Sequence, residues 1–180
     1  MTTSYLDPAP AIDLARTSLR SSARAWDDAL VAALAHDARL ARRVLGGDAA
    51  RRSGLRSLRR RLDLCAAVDD LQSSRLLVDD LWRIDRLLVQ LAQDVLGPGA
   101  GLPIELVAEV EVVRSVGVRR LRGLARTLPA VPIDAAYVKE GRRVVQAWTV
   151  LHEHNGGETA VCGRLAAVLV ETSRHASGTV

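Results

Sequence analysis

Three groups of side chains in this 180-residue sequence are of types that do chemistry. The first lies in LVDDLWRIDRLLVQLAQ at 77–93, where Asp79, Asp80 and Asp85 surround Trp82 and alternate with Arg83 and Arg86. Carboxylates four residues apart share a helix face and can chelate a metal together. Asp80 and Asp85 are the carboxylates closest to that pattern, but five residues separate them, about 140° around a helix, so they converge poorly. Asp79 stands four residues from both Arg75 and Arg83, a spacing that predicts ion pairs along an exposed helix surface. The reading is a surface of ion pairs, with no metal expected.

The second group is basic. Arg39, Arg42, Arg43, Arg51, Arg52, Arg56, Arg59, Arg60 and Arg61 crowd one stretch, while Leu55, Leu58 and Leu62 take the opposite face. Arg42, Arg43, Arg52, Arg56, Arg59 and Arg60 are the candidates for a surface that meets an acidic protein or another polyanion. No aromatic side chain is interleaved for base stacking, and no helix-turn-helix pattern stands out, so a protein partner ranks ahead of nucleic acid. The third group is LHEHNGG. His152 and His154 lie two apart and point about 200° from one another on a helix. A metalloprotease pair would need its second histidine at Gly156. Histidines near a helix C-terminus have a plainer role in facing the negative end of its dipole. No serine elbow and no phosphate-binding loop occurs, so the sequence predicts no catalytic residue and no enzyme.

These groups are positioned by helices. Ile12, Leu19, Trp26 and Ala33 fall at seven-residue steps with Ala23 and Leu30 between them, a bundle-helix stripe that predicts a helix over about 11–35. Asp37 is placed to cap a second long helix over about 38–68, with Leu40, Val44 and Leu45 behind it. Gly46 and Gly47 mark where it can kink or break, and Asp48 is placed to cap the stretch beyond the break. Leu77, Leu81, Ile84, Leu88, Leu91 and Val95 alternate spacings of four and three, a heptad seam that must be packed away from water. GPGAGLP at 97–103 is the strongest breaker. Beyond it, Leu106, Val110, Val113, Gly117, Leu121, Leu124 and Leu128 predict a helix over about 104–128. Asp134 is placed to cap the next, in which Val138, Val145, Trp148 and Leu151 are expected to pack. Thr159 is placed to cap a last helix running to about 174. The fold class is therefore all-α: six helices as two linked three-helix units, at 11–97 and 102–175, between a lead-in at 1–10 and a tail at 176–180.

Composition agrees. Hydrophobic residues make up 48% of the chain and charged residues 26%, with no Phe, a balance that suits aliphatic helix packing. The formal charge is +4, with the positive charge carried by arginine apart from Lys139. Cys65 and Cys162 form no motif, which predicts buried thiols in a reducing cytoplasm. The first ten residues do not read as a signal peptide, and no apolar run approaches the ~20 residues that span a bilayer.

The run ALAHDARLARRVLGGD, through Ala33, Leu34, Asp37, Leu40, Ala41, Val44 and Asp48, resembles the start of PhoU-type phosphate regulators. DDLWRID resembles that family's L-E-R-I-G-D helix, with Leu81, Arg83 and Ile84 matching. The resemblance covers about 12–96; the later half matches in helix number. It implies a cytoplasmic six-helix bundle, often a homodimer, that restrains phosphate uptake and signalling between a phosphate transporter ATPase and a sensor kinase. It also implies iron or zinc clusters held by E-x-x-x-D motifs. Trp82 and Arg86 occupy those ligand positions here, so no cofactor is expected. The second reading is a basic helical module that binds nucleic acid or another polyanion through the 39–61 face.

Overall fold

The computed structural model describes residues 9–64, 72–98, 101–127, 135–154 and 156–176. These residues form an all-α bundle: α1 (Ala9–Ala35), α2 (Ala38–Gly46), α3 (Asp48–Leu64), α4 (Gln72–Leu96), α5 (Val107–Thr127), α6 (Ala135–His152) and α7 (Gly157–Ala176). A 3-10 turn at Ile104–Leu106 leads into α5. The expected cap Asp134, the stripe residue Leu128 and the end of the 38–68 helix lie outside the described residues.

The apolar stripes become one core. Leu19, Ala23, Trp26, Leu30 and Ala33 of α1 are buried, as are Leu81, Ile84, Leu88, Leu91 and Val95 of α4, and Leu106, Val110, Val113, Gly117 and Leu121 around α5. Each fully buried leucine of this kind contributes about 1.5–3 kcal/mol through the hydrophobic effect. The most extensive helix pairing is α1 against α5, and α4 also packs on α7, so the core runs across the 97–103 breaker. A small second cluster of Ala11, Leu58, Leu62 and Val78 joins α1, α3 and α4, with Trp82 packed against both clusters.

Asp37 caps α2: its Oδ1 accepts from the N–H of Arg39 at 2.8 Å and of Leu40 at 3.2 Å. These bonds, that to Leu40 first, hold the Asp37 carboxyl below the usual carboxylate range. The 38–68 helix does break where the glycines allow it. Gly47 alone separates α2 from α3, and a Cβ placed on it would lie 2.7 Å from Arg51 Nη1. Arg51 Nη2 donates to the Val44 carbonyl at 2.9 Å, so a side chain of α3 reaches back across the break to the end of α2.

Two helices differ from expectation. In α6 Leu151 is buried and Trp148 packs against the core as expected, but Val138 is 47% and Val145 42% exposed, and Val144 and Ala147 are buried in their place. Arg120 of α5 lies against Tyr137 and close to Gly141, on the same side of α6 as Val144, Trp148 and Leu151. In α7, Thr159 is buried inside a helix that begins two residues earlier at Gly157, so it is not the cap.

Candidate functional site

The two charged groups singled out in the sequence are folded onto one another. α3 lies beside α4, and its arginines reach the acids of the α4 helix. Asp85, 1% exposed, accepts a bond from Arg51 Nε at 2.5 Å. Arg52 Nε lies 2.8 Å from Asp48 Oδ1 and 3.6 Å from Asp85 Oδ2. The result is a mostly buried cluster of two carboxylates and two guanidiniums beneath the α2–α3 break. Burial pushes the Asp85 carboxyl up; the Arg51 guanidinium opposes this and the neighbouring Asp48 reinforces it.

The expected exposed surface of i,i+4 pairs is therefore corrected. Asp80 and Asp85 are both buried, and the close pairs of Asp79 and Asp85 run between helices. Asp79 bonds to Arg59 of α3 at 3.0 Å instead of to Arg75 or Arg83. Arg75 approaches Asp63 at 3.7 Å. Arg83 bonds Glu171 of α7 at 2.6 Å and stands 3.9 Å from Asp80. Sequence spacing cannot anticipate this, because a cation from a neighbouring helix desolvates the acid and competes with the intrahelical partner. The Arg59–Asp79 pair is more than half exposed on both sides. Its coupling energy, read from a double-mutant cycle with alanines, is expected to stay below about 1 kcal/mol.

The basic face divides accordingly. Arg43 bonds Asp28 of α1 at 2.9 Å, Arg52 is drawn into the cluster and Arg59 holds Asp79. Arg42, Arg56 and Arg60 remain exposed with no acidic partner among the described residues. Three of the six candidate cations are thus committed inside the molecule.

The donor set of α4 does not fit an iron or zinc cluster. Trp82 packs against both core clusters and Arg86 is exposed, and neither an indole nor a guanidinium supplies a ligand. Asp85 already faces two cations. His152 stacks on Trp148 with ring centroids 5.4 Å apart, and His154 Nδ1 meets the Val150 carbonyl at 2.9 Å, so each ring turns to its own helix end. Cys162 is fully buried, as expected, and burial pushes its thiol up to about 12. Cys65 lies outside the described residues.

Three charged positions escape a reading by periodicity. Arg120, 7% exposed, donates to the Leu169 carbonyl at 2.9 Å and lies 4.4 Å above the Tyr137 ring, tying α5 to α6 and α7. Burial pushes its guanidinium down. Arg114 grips Glu111 at 2.6 and 2.7 Å and also bonds Asp27, fastening α5 to α1. Glu158, 5% exposed at the start of α7, has no hydrogen bond to either carboxylate oxygen among the described residues. An arginine inside the apolar stretch VGVRRLRGL was the available signal for Arg120; nothing in the local sequence marks Glu158.

No family model, curated protein or solved structure matches this chain.

Proposed function

We propose that this chain is a PhoU-like regulatory adaptor that acts by binding proteins as a negative regulator of phosphate uptake and signalling. The observation that carries this reading is the packing of the two stretches that resemble the family. Leu40, Ala41 and Val44 of α2 and Leu81 and Ile84 of α4, distant in the chain, lie in one core on adjacent helices. The resembling residues thus do one shared job, holding α2 on α4. The exposed Arg42, Arg56 and Arg60 provide a face for an acidic region of a transporter ATPase or a sensor kinase. A homodimer in the cytoplasm is part of the same proposal.

The test is reciprocal co-purification from the native host, at low and high phosphate, with the phosphate transporter ATPase and the sensor kinase as the named targets. Deleting the chain should derepress phosphate uptake in phosphate-replete medium, and light scattering of the purified protein should give twice the chain mass. Unchanged uptake on deletion, together with neither target recovered, would reject the proposal.

A further inference from the structure

Between the end of α3 and the start of α4 lies a cleft of about 150 Å³ lined by Arg59, Leu62, Asp63, Arg75 and Val78. Its apolar wall is Leu62 and Val78, 4% and 2% exposed, which belong to the small second cluster with Ala11 and Leu58. Its rim is charged and wet. Arg59 bonds Asp79 at 3.0 Å, with both side chains more than half exposed. Arg75 stands 3.7 Å from Asp63, too far for a hydrogen bond, and both are half exposed or more. Exposed pairs of this kind contribute little, so a carboxylate from outside can replace either acid at small cost.

The same face carries cations that the fold does not use. Residues three or four apart share a helix face, which sets Arg56 beside Arg59 and Arg60, and Arg60 beside Asp63. Arg56 and Arg60 are exposed with no acidic partner among the described residues. Arg86 of α4 is a third such cation, seven residues beyond Asp79 and so on the same side of that helix. The result is a surplus of positive charge around a hollow that holds one apolar group, since a cavity of about 150 Å³ accepts a molecule the size of benzene. Asp63 and Asp79, exposed on the rim, repel the unbroken line of phosphates of a polynucleotide or polyphosphate. An acidic protein segment can space its carboxylates around them and also supply the apolar side chain.

We propose that the cleft between α3 and α4 is the docking site of a short acidic segment of a partner protein, which seats one apolar side chain against Leu62 and Val78 and lays its carboxylates on Arg56, Arg60 and Arg75. This docking presupposes that the chain is a protein-binding adaptor, and it fixes where and by what chemistry the partner is held. The apolar anchor supplies most of the affinity, because a desolvated side chain inside a polar rim is the arrangement of an interface hot spot. The arginines steer and orient the segment, and their contribution falls as salt rises.

Titration of the purified full chain with a short fluorescein-labelled peptide, glutamates around a single central leucine, tests this. Anisotropy should show saturable binding that weakens several-fold from low to physiological salt. Replacing the central leucine of the peptide with serine should weaken binding at least about tenfold, the factor that corresponds to about 1.4 kcal/mol of lost apolar burial. In methyl NMR spectra the signals of Leu62 and Val78 should shift with the leucine peptide, while those of Val161 and Leu165 in the main core should not. The double variant Arg56→Glu, Arg60→Glu, changed at exposed positions, should lose most of the binding. Arg142→Glu, Arg143→Glu on α6 makes the same change in net charge and should bind as wild type does. No binding at low salt, equal binding of the two peptides, unmoved Leu62 and Val78 signals, or equal losses in the two double variants would overturn the proposal. So would duplex DNA or polyphosphate that binds more tightly than the peptide and is weakened by the α3 variant, because the face would then be a polyanion site. Binding here is measured on purified components, so its failure leaves the co-purification and uptake results of the adaptor reading standing, and their failure leaves this measurement standing.

Discussion

Replacing Asp85 with alanine should destabilise the bundle by about 3–5 kcal/mol, because it strands a buried guanidinium. Arg51 is 6% exposed and Asp85 1%, so water cannot substitute for the lost partner. The effect should also reach beyond the pair. Arg51 holds the Val44 carbonyl at 2.9 Å and fills the space over Gly47, so releasing it unlocks the α2–α3 break. Arg52 would lose one of its two carboxylates as well. The informative control is the double replacement Arg51→Met, Asp85→Leu. An apolar pair of similar volume should recover most of the loss, since a buried ion pair gains little over well-packed hydrophobic side chains. Urea denaturation of the two single variants and the double variant measures this directly. A single Asp85→Ala loss under about 1 kcal/mol would show that solvent reaches the cluster.

The second large effect is expected at Gly117. α1 and α5 approach so closely that a Cβ on Gly117 would lie 2.3 Å from the Trp26 ring. Trp26 is 0% exposed, and its Nε1 donates to the Val113 carbonyl at 3.2 Å, so the indole is held at its edge and cannot slide away. Overpacking a well-filled core costs typically about 1–3 kcal/mol, and a rigid ring belongs at the upper end. Gly117→Ala should therefore cost about 3 kcal/mol and, for a chain of this size, lower the melting temperature by roughly 6–12 °C. Alanine's better helix propensity returns only about 1 kcal/mol. Thermal unfolding by circular dichroism gives the value. Combining it with Trp26→Leu should be less than additive, because the smaller side chain makes room for the new methyl group. Strict additivity would mean that the two residues do not share the space.

These two sites also show what could be read in advance. Trp26 and Gly117 each sit on a predicted apolar stripe, and both stripes are buried as expected. That they face one another, at a distance only glycine permits, depends on α1 pairing with α5 across the 97–103 breaker. The charged residues show the same division. The sequence placed Asp85 and the arginines of 39–61 on different helices, where each group could be weighed only by itself. Folding brings Arg51 and Arg52 onto Asp85 and Arg59 onto Asp79, so that of the two weak metal candidates Asp85 is met by Arg52 of the basic face and, more closely, by Arg51.

The all-α class, the position of most helices, the Asp37 cap and the weak point at Gly46–Gly47 are all legible in the amino-acid sequence. Those properties are local: side-chain periodicity, capping chemistry and backbone propensity act within a few residues of one another. Which charges find partners depends on how the helices pack. Asp85 and Arg51, and Arg120 and the Leu169 carbonyl, are far apart in the chain, and the cost of burying each depends on a partner that only packing supplies. The phase of α6 depends on packing in the same way, since the 138/145 and 144/147/151 faces are both apolar and contact with α5 and α7 buries the second of them.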